Sequence, residues 1–394
     1  MEIKAIGVVG GGAMGAGIVQ TLSAFGYPVW FKDVNEELIK KCIGQVEKIY
    51  LSALKKGKMT EEQAQRGMSL IHGGIDDKGF DTVDLLLEAV PERIGIKKAV
   101  FEHFDRLCKP DAILATNTSS FSITEIASFT SRSSRVIGMH WFNPPHVMKL
   151  IEIIPGIETS GETVDALMQF CRKLDKSPIH VKECAGFVVN RVLGIYMNEA
   201  LFLLEEGKRQ IEIDQAALQI GMPMGPLRLG DMAGWDIIYH ANRTLHEEYG
   251  ARFVLPKLFF QLIEEGRLGQ KAGKGIYCEK SGEPAVLEEQ FDYDKLKPLS
   301  DRLLCCAINE GVRCLEEGVA SAEDIDFALQ RGAGMPKGPL TWADEIGLDY
   351  ILGALERFKT VYGERFRPSP FLKRKVSAGH LGKKTGKGFF SYSI

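Results

Sequence analysis

A histidine, an amide and a carboxylate stand close together in Gly138-Met139-His140-Trp141-Phe142-Asn143-Pro144 and Lys149-Leu150-Ile151-Glu152. An imidazole suits taking and returning a proton near neutral pH. A carboxylate behind it would fix its orientation and steady its cation, which is the pairing that general acid–base chemistry uses. The apolar run from Arg135 to Met139 ends at His140 and reads as a buried strand, and Pro144-Pro145 stops it. The next extended run, Val147 to Ile154, carries Glu152 as its lone carboxylate. If the two runs are neighbouring strands, Glu152 reaches the back nitrogen of His140. A core histidine bonded to the nearest carboxylate is the plainer reading of this stretch taken alone. The rest of the chain decides between them.

A second chemical signature lies at the N-terminus. The apolar run Ile3 to Val9 leads into Gly10-Gly11-Gly12-Ala13-Met14-Gly15, then a helical pattern to Phe25, then an extended run Tyr27 to Phe31 that ends near Asp33. A lone G-x-G-x-x-G says little. Strand, glycine loop, helix, strand and acid in this order read as a dinucleotide site. Gly10 permits the tight turn, Gly12 lets the backbone approach a pyrophosphate, and Gly15 lets helix and strand pack closely. The helix start at Ala13 and Met14 offers N–H groups and a positive dipole end to phosphates. Asp33 would bind ribose hydroxyls and repel a 2′-phosphate, so NAD is expected rather than NADP; Lys32 beside it is the one feature against.

The elements that must hold these residues can be read in turn. From about 35 to 65 the chain is a charged helical hairpin with Lys55, Lys56 and Lys58 grouped. Such a group is either a solvated face or a set of point charges for a phosphorylated substrate tail. Val83 to Val90 is a buried strand, Gly95 to Leu107 a helix, and Ala112 to Ala115 a strand that ends in Thr116-Asn117-Thr118-Ser119-Ser120. Small polar residues at a strand's carboxyl end sit where open α/β sheets bind ligands. They also cap helices, a task for Ser120 or Ser122 while Ser119 points into the crevice. Gly161 to Leu174 is a helix and Pro178 to Val181 a last short strand.

After Gly186 strand signals nearly vanish, and Phe187 to Glu206 reads as one long helix opening on Asn190-Arg191. The second half then repeats itself. Asn190-Arg191-Val192-Leu193 recurs as Asp301-Arg302-Leu303-Leu304. Gly221-Met222-Pro223-Met224-Gly225-Pro226 recurs as Gly334-Met335-Pro336-Lys337-Gly338-Pro339, and Leu268 to Gly275 as Leu381 to Gly388. Three signatures in the same order indicate a duplicated helical unit, at roughly 100 residues too long for a solenoid repeat. The expected fold is therefore an α/β Rossmann-type domain, 1–184, followed by two all-α domains, 185–284 and 285–394, with an acidic linker from Ser281 to Tyr293. Asp301 stands where Asn190 does, so a site amide belongs to the first copy.

Bulk properties exclude other classes. At 45% hydrophobic and 26% charged, with net charge −3, the chain shows no sign of a nucleic-acid or anionic-membrane partner. The eight cysteines form no C-x-x-C and no metal-spaced cluster, so no metal is expected. Free thiols of this kind fit a reducing, cytoplasmic compartment. No apolar run reaches about 18 residues, and the N-terminal strand leaves no room for a signal peptide.

Together, the glycine loop, Glu88-Ala89-Val90, Asn117-Thr118-Ser119-Ser120, His140-Trp141-Phe142-Asn143-Pro144, Gly186-Phe187-Val188-Val189-Asn190-Arg191 and the Lys-x-Gly-Lys-Gly-aromatic ending of each repeat resemble L-3-hydroxyacyl-CoA dehydrogenases along the whole chain. The doubled helical part is similar to the dehydrogenase portion of multifunctional fatty-acid oxidation enzymes, and no stretch reads as their hydratase/isomerase domain. The resemblance implies NAD-dependent interconversion of (S)-3-hydroxyacyl-CoA and 3-ketoacyl-CoA, with His140 as base or acid and Glu152 steadying it. It implies that Ser119 and Asn190 hydrogen-bond the reacting oxygen and that Asn143 touches the same region. Ala89, Glu92, Lys97, Asn117 and Asn143 would join the glycine loop in holding the cofactor, with Glu92 and Lys97 near the nicotinamide ribose. Lys56 would meet the CoA phosphates. A separate enoyl-CoA hydratase and thiolase are the expected pathway partners. In single-repeat relatives the helical domain is the dimer contact; here the second copy would occupy that face, so a monomer with an internal pseudo-dimer is expected. Two rival readings stand beside this one. A dehydrogenase of a free hydroxy or sugar acid, of the 6-phosphogluconate type, would use a lysine base on the interdomain helix, where this chain has Asn190 and Arg191. A non-catalytic NAD-binding protein would not need the set Ser119, His140, Glu152 and Asn190.

Overall fold

The computed structural model describes residues 2–277 and 291–393. The chain forms two compact units that divide after Cys184. The expected acidic linker lies outside the described residues up to residue 290.

The first unit is built as β1 (Ile6–Val9), α1 (Ala13–Ala24), β2 (Val29–Lys32), α2 (Glu36–Lys55), α3 (Glu61–Ser69), β3 (Ile71–Gly74), β4 (Leu85–Glu88), α4 (Ile94–Leu107), β5 (Ile113–Thr116), α5 (Ile123–Ala127), β6 (Val136–Trp141), β7 (Leu150–Pro155), α6 (Gly161–Lys173) and β8 (Ser177–His180). The strands form one sheet in the order β3-β2-β1-β4-β5-β6-β7-β8. All neighbours are parallel except β6 and β7. Strands β1, β4 and β5 are buried throughout, and apolar cores cover both faces of the sheet. This is the doubly wound arrangement, and its chain order reverses between β1 and β4. The carboxyl ends of β1, β4, β5 and β6 therefore share one rim.

Strand β3 has no counterpart among the strands read from the sequence. It is Ile71-His72-Gly73-Gly74, too short and glycine-rich for an alternating signal. Its glycine has a packing cause: a Cβ at Gly73 would come within 2.3 Å of the Phe31 ring. The hairpin of α2 and α3 extends to Ser69. It is only partly a solvated feature, because Ile39, Cys42, Val46 and Tyr50 of α2 are buried in the main core.

The second unit is helical among the described residues. Its first copy holds α7 (Val189–Glu205), α8 (Gln210–Gln219), α9 (Pro226–Ala233), α10 (Trp235–Tyr249) and α11 (Lys257–Glu264). Its second holds α12 (Tyr293–Glu316), α13 (Ala322–Gly332), α14 (Pro339–Ile346), α15 (Leu348–Tyr362) and α16 (Pro370–Ser377). Both copies close in the same way. The Asp231 carboxylate accepts the N–H groups of Ile276 and Tyr277 at 2.8 Å each and the Trp235 indole at 2.7 Å. In the second copy Asp344 accepts the N–H of Phe389 at 2.8 Å and of Phe390 at 2.9 Å. The repeated Lys-x-Gly-Lys-Gly ending, followed by Ile276-Tyr277 in the first copy and Phe389-Phe390 in the second, is thus the strap that a buried aspartate ties down.

The copies meet through reciprocal ion pairs. Arg191 of α7 donates to Glu310 of α12 and to Glu317 at its C-cap, each at 2.6 Å. Arg302 of α12 donates to Glu199 of α7 and to Glu206 at its C-cap, the latter at 2.6 Å. Arg252 and Arg365 complete the two clusters in the same reciprocal sense. Gly221 faces Pro336, and Gly334 faces Pro223, each at 3.2 Å from a virtual Cβ. One contact set serves both directions, as in a two-fold interface.

Candidate active site

The antiparallel register of β6 and β7 places His140 directly opposite Glu152. Nδ1 of His140 lies 2.7 Å from Oε2 of Glu152, and both side chains are buried, at 6% and 0% exposure. A carboxylate can only accept, so Nδ1 carries the hydrogen and Nε2 keeps its lone pair. That lone pair faces the Ser119 hydroxyl at 3.0 Å. Ser119 comes from the loop after β5, so three strands contribute to one proton-transfer unit.

A network of buried charge sets the Ser119 loop. Glu88, the last residue of β4, is fully buried and accepts from the Lys97 ammonium at 2.8 and 2.9 Å, from the Thr116 hydroxyl at 2.6 Å and from Val90 N–H at 2.8 Å. Lys97 also pairs with Glu92 at 3.0 Å. Glu92 accepts from the Thr118 hydroxyl, from Ser119 N–H at 3.1 Å and from the Ser120 hydroxyl at 3.0 Å. Burial opposes charge on Glu92, but Lys97 and the hydroxyl donors outweigh it and hold the carboxyl below its usual range. Lys97 is 1% exposed and is held between Glu88 and Glu92. It acts on the Ser119 loop through Glu92. Asn117 is likewise engaged: its side-chain oxygen accepts Trp141 N–H at 2.8 Å and so fixes the backbone beside His140. Asn143, three residues after His140, is exposed and makes no side-chain hydrogen bond among the described residues.

The glycine loop lies on the same rim. Gly10 has φ +101, and a Cβ there would strike the carbonyl of Ala89 at 2.6 Å, so the loop after β4 packs directly on the turn. A Cβ on Gly15 would fall 1.8 Å from the Gly10 carbonyl. A Cβ on Gly12 would meet nothing within 4 Å, which leaves open space over the start of α1. The first helical bond runs from Ala16 N–H to Gly12 at 2.8 Å, so the N–H groups of Ala13 and Met14 have no helical acceptor. These features fit a pyrophosphate. Asp33, just after β2, accepts Gly11 N–H at 2.8 Å and Val34 N–H at 2.7 Å. Lys32, the feature against NAD, is taken up by Asp77.

Lys56 ends α2. Its charge and that of Lys58 are felt at His146, in the turn after β6. Burial first, then Lys176, Lys56 and Lys58, hold that imidazole below its ordinary value. Asn190 belongs to the second unit, where it is the second residue of α7. Sequence reasoning missed Glu88 as the organiser of the serine loop. It also missed Glu183, whose carboxylate accepts from Ser122 at 2.7 Å and from Thr124 N–H at 2.9 Å at the start of α5. Glu183 carries no local signal, since its partners lie about sixty residues back, and the part of Glu88 shows only when Thr116 of the neighbouring strand and Lys97 of α4 are brought to it.

Comparison with known proteins agrees with this geometry. The family model for the 3-hydroxyacyl-CoA dehydrogenase NAD binding domain matches residues 5–184. The model for the C-terminal domain of the same family matches twice, at 186–279 and 299–392. The chain therefore belongs to the 3-hydroxyacyl-CoA dehydrogenase family, whose members are NAD-dependent oxidoreductases. The solved 3-hydroxybutyryl-CoA dehydrogenase of Escherichia coli is similar over 96% of this chain and 99% of its own, with 29% identity and a TM-score of 0.88. The (S)-3-hydroxybutyryl-CoA dehydrogenase of Ralstonia eutropha is 36% identical, with a TM-score of 0.69, over 70% of this chain and 99% of its own. The fatty acid oxidation complex subunit alpha of Shewanella amazonensis is 36% identical over 94% of this chain. This chain spans about half the length, 55%, of such curated relatives. Among the described residues no helix is long and apolar enough to cross a membrane.

Proposed function

We propose that the protein interconverts (S)-3-hydroxyacyl-CoA and 3-ketoacyl-CoA, in fatty-acid β-oxidation or short-chain acyl-CoA metabolism. The observation that carries this reading is the His140 ring held from both sides, with Glu152 at 2.7 Å and Ser119 at 3.0 Å. In oxidation, Nε2 takes the proton of the C3 hydroxyl, and Glu152 stabilises the imidazolium that forms. NAD, when bound, supplies the hydride acceptor. In reduction, the imidazolium returns the proton to the new alkoxide. The Ser119 hydroxyl turns from Nε2 towards the reacting oxygen and donates to it as charge develops there. By the family motif we assign Asn190 to the same oxygen, Asn143 to the ligand-facing rim, Glu92 to the nicotinamide ribose and Lys56 to the CoA phosphates. The substrate is what hydration of a 2-enoyl-CoA yields, and the product is what a thiolase cleaves. The seven free cysteines among the described residues support a reducing, cytoplasmic setting. The reciprocal ion pairs of the second unit support a monomer whose two helical copies replace a dimer contact. Sedimentation showing a two-fold dimer joined through residues 190–280 would overturn that.

The test of the reaction is NADH oxidation with acetoacetyl-CoA, with longer 3-ketoacyl-CoA thioesters and with free acetoacetate. Turnover is expected with the thioesters and not with the free acid. His140→Ala is expected to keep NADH binding and to lose at least about two orders of magnitude in kcat. Preference for the free acid would move the assignment to the hydroxy-acid dehydrogenases, and NADH binding without turnover of any thioester would leave only a nucleotide-binding protein.

A further inference from the structure

Lys176 sits in the short connection between α6 and β8 and is 7% exposed. No carboxylate pairs with it among the described residues. Its neighbour Asp175 is paired instead with Lys149. A buried cation without a counter-ion is costly unless its N–H groups are all well used. Here they are used on one turn. The ammonium donates to the carbonyl of Pro145 at 2.6 Å and to that of Met148 at 2.7 Å. It also lies 5.3 Å from the centre of the Trp141 ring, the residue after His140. Desolvation, with Lys149 adding to it, brings the Lys176 ammonium down to about 8.

The same turn is held from its other side. A Cβ added to Gly17, in α1, would meet the Pro145 ring at 2.9 to 3.2 Å. The proline therefore lies flat on the helix that begins at the glycine loop. The turn closes on itself through bonds from Val147 N–H and Met148 N–H to the Pro144 carbonyl, both 3.0 Å. Asn143, which opens the turn, is exposed, and its amide makes no hydrogen bond among the described residues. One segment thus runs from the proton-transfer histidine, past an unengaged amide, to the back of the nucleotide helix, with Lys176 as the clamp.

We propose that Lys176 is a positioning residue for Asn143: its ammonium seats the 143–148 turn against α1 and so sets where the Asn143 amide meets bound ligand. The inference rests on the assignment of Asn143 to the ligand-facing rim. Lys176→Met keeps the length and the packing on Trp141 but removes every donor, so the turn lifts and Asn143 shifts. A misplacement of about 1 Å can cost about 100-fold in rate.

The test is a double-mutant cycle of Lys176→Met with Asn143→Ala. It reads kcat, the NADH dissociation constant by fluorescence titration, and thermal unfolding. In the parent protein, Lys176→Met is expected to lower kcat by about 10- to 100-fold or to weaken NADH binding by a similar factor. In the Asn143→Ala background it is expected to add less than about 2-fold. Equal losses in both backgrounds would overturn the proposal and leave Lys176 a fold-stabilising residue. A silent Asn143→Ala beside a damaged Lys176→Met would overturn it too. If Lys176→Met does not fold, Gly17→Ala presses on Pro145 from the opposite side, and the same non-additivity with Asn143→Ala is required. The NADH readout keeps these outcomes separate from any failure of the thioester assignment, which shows in the parent protein alone.

Discussion

Glu152→Gln is the sharpest perturbation of the proposed chemistry, because it changes charge and almost nothing else. The amide has the volume of the carboxylate, the position is fully buried in β7, and an amide oxygen can still accept the Nδ1 hydrogen of His140. What is lost is the attraction between the carboxylate and the imidazolium that forms as the proton moves. With the heavy atoms 2.7 Å apart the charge centres lie about 4 Å apart, and an effective dielectric constant of about 20 gives about 4 kcal/mol for full charges. A transition state with the proton half transferred would feel about half of that, about 2 kcal/mol, or roughly 30-fold in kcat. The assay is steady-state NADH oxidation with acetoacetyl-CoA, with NADH affinity and thermal unfolding measured on the same preparation. The expectation is a kcat lowered by roughly 30-fold, with NADH affinity unchanged. A variant that folds, binds NADH and turns over within about 3-fold of the parent would show that the carboxylate does not stabilise the proton-transfer step.

Three further outcomes test other parts of the reading. Asp33→Asn should narrow the preference for NADH over NADPH by at least about 10-fold, because it removes a charge that would repel a 2′-phosphate; an unchanged ratio of kcat/KM values would place the adenosine ribose elsewhere. His146 is held below its ordinary value by burial and by Lys176, Lys56 and Lys58, so it favours the neutral form in the free protein. CoA phosphates would cancel the lysines and raise it, so binding of CoA should take up a proton at pH values below the ordinary histidine range, seen by calorimetry in buffers of different ionisation enthalpy and lost in His146→Gln. Proton-neutral binding would separate the phosphates from Lys56. Arg302→Met strips the buried Glu199 of one of its two arginines and should cost about 3 kcal/mol in urea unfolding, the lower end for a broken buried pair because Arg365 remains at 2.9 Å. A change under about 1 kcal/mol would mean that the cluster directs pairing of the copies without stabilising them.

Local chemistry made much of this molecule legible. The glycine loop, the apolar strands β4 to β6 and the carboxylate in β7 each declare themselves within a few residues. The His140–Glu152 contact followed from one assumption, that two consecutive extended runs pair, and the register places those two residues opposite each other. The repeat was legible because whole signatures recur. Long-range partnership was not. Glu88, Lys97 and Glu92 have the composition of a surface, yet the first two are buried and spend their charge on each other. Lys176 follows a surface aspartate and looks solvated in sequence; only the fold shows that two carbonyls from a turn some thirty residues earlier take its hydrogens. Strand β3 stayed hidden because what fixes Gly73 is the ring of Phe31, a residue on the neighbouring strand.

The duplication separates two requirements that a single copy must meet together. The frame is kept in both copies: Arg191 and Arg302, Glu199 and Glu310, Glu206 and Glu317 stand at matching places and pair across the pseudo-two-fold. The chemistry is not. Where the first copy has Asn190, the second has Asp301, and its carboxylate is occupied by Lys297 and by the Tyr350 hydroxyl, each at 2.8 Å. A charge tied down in this way could not play the part proposed for the Asn190 amide. Yet the second copy cannot simply be lost, because the first presents Arg191 and Glu199 on a face that is 0% and 1% exposed only while α12 covers it. Bare, that face would expose Arg191 and Glu199 without the partners they now have. Joining both copies in one chain makes the cover intramolecular, so it persists at any dilution. On the proposed reading, the second copy is the fixed partner of the first, and the amide assigned to the substrate stays in the first copy alone.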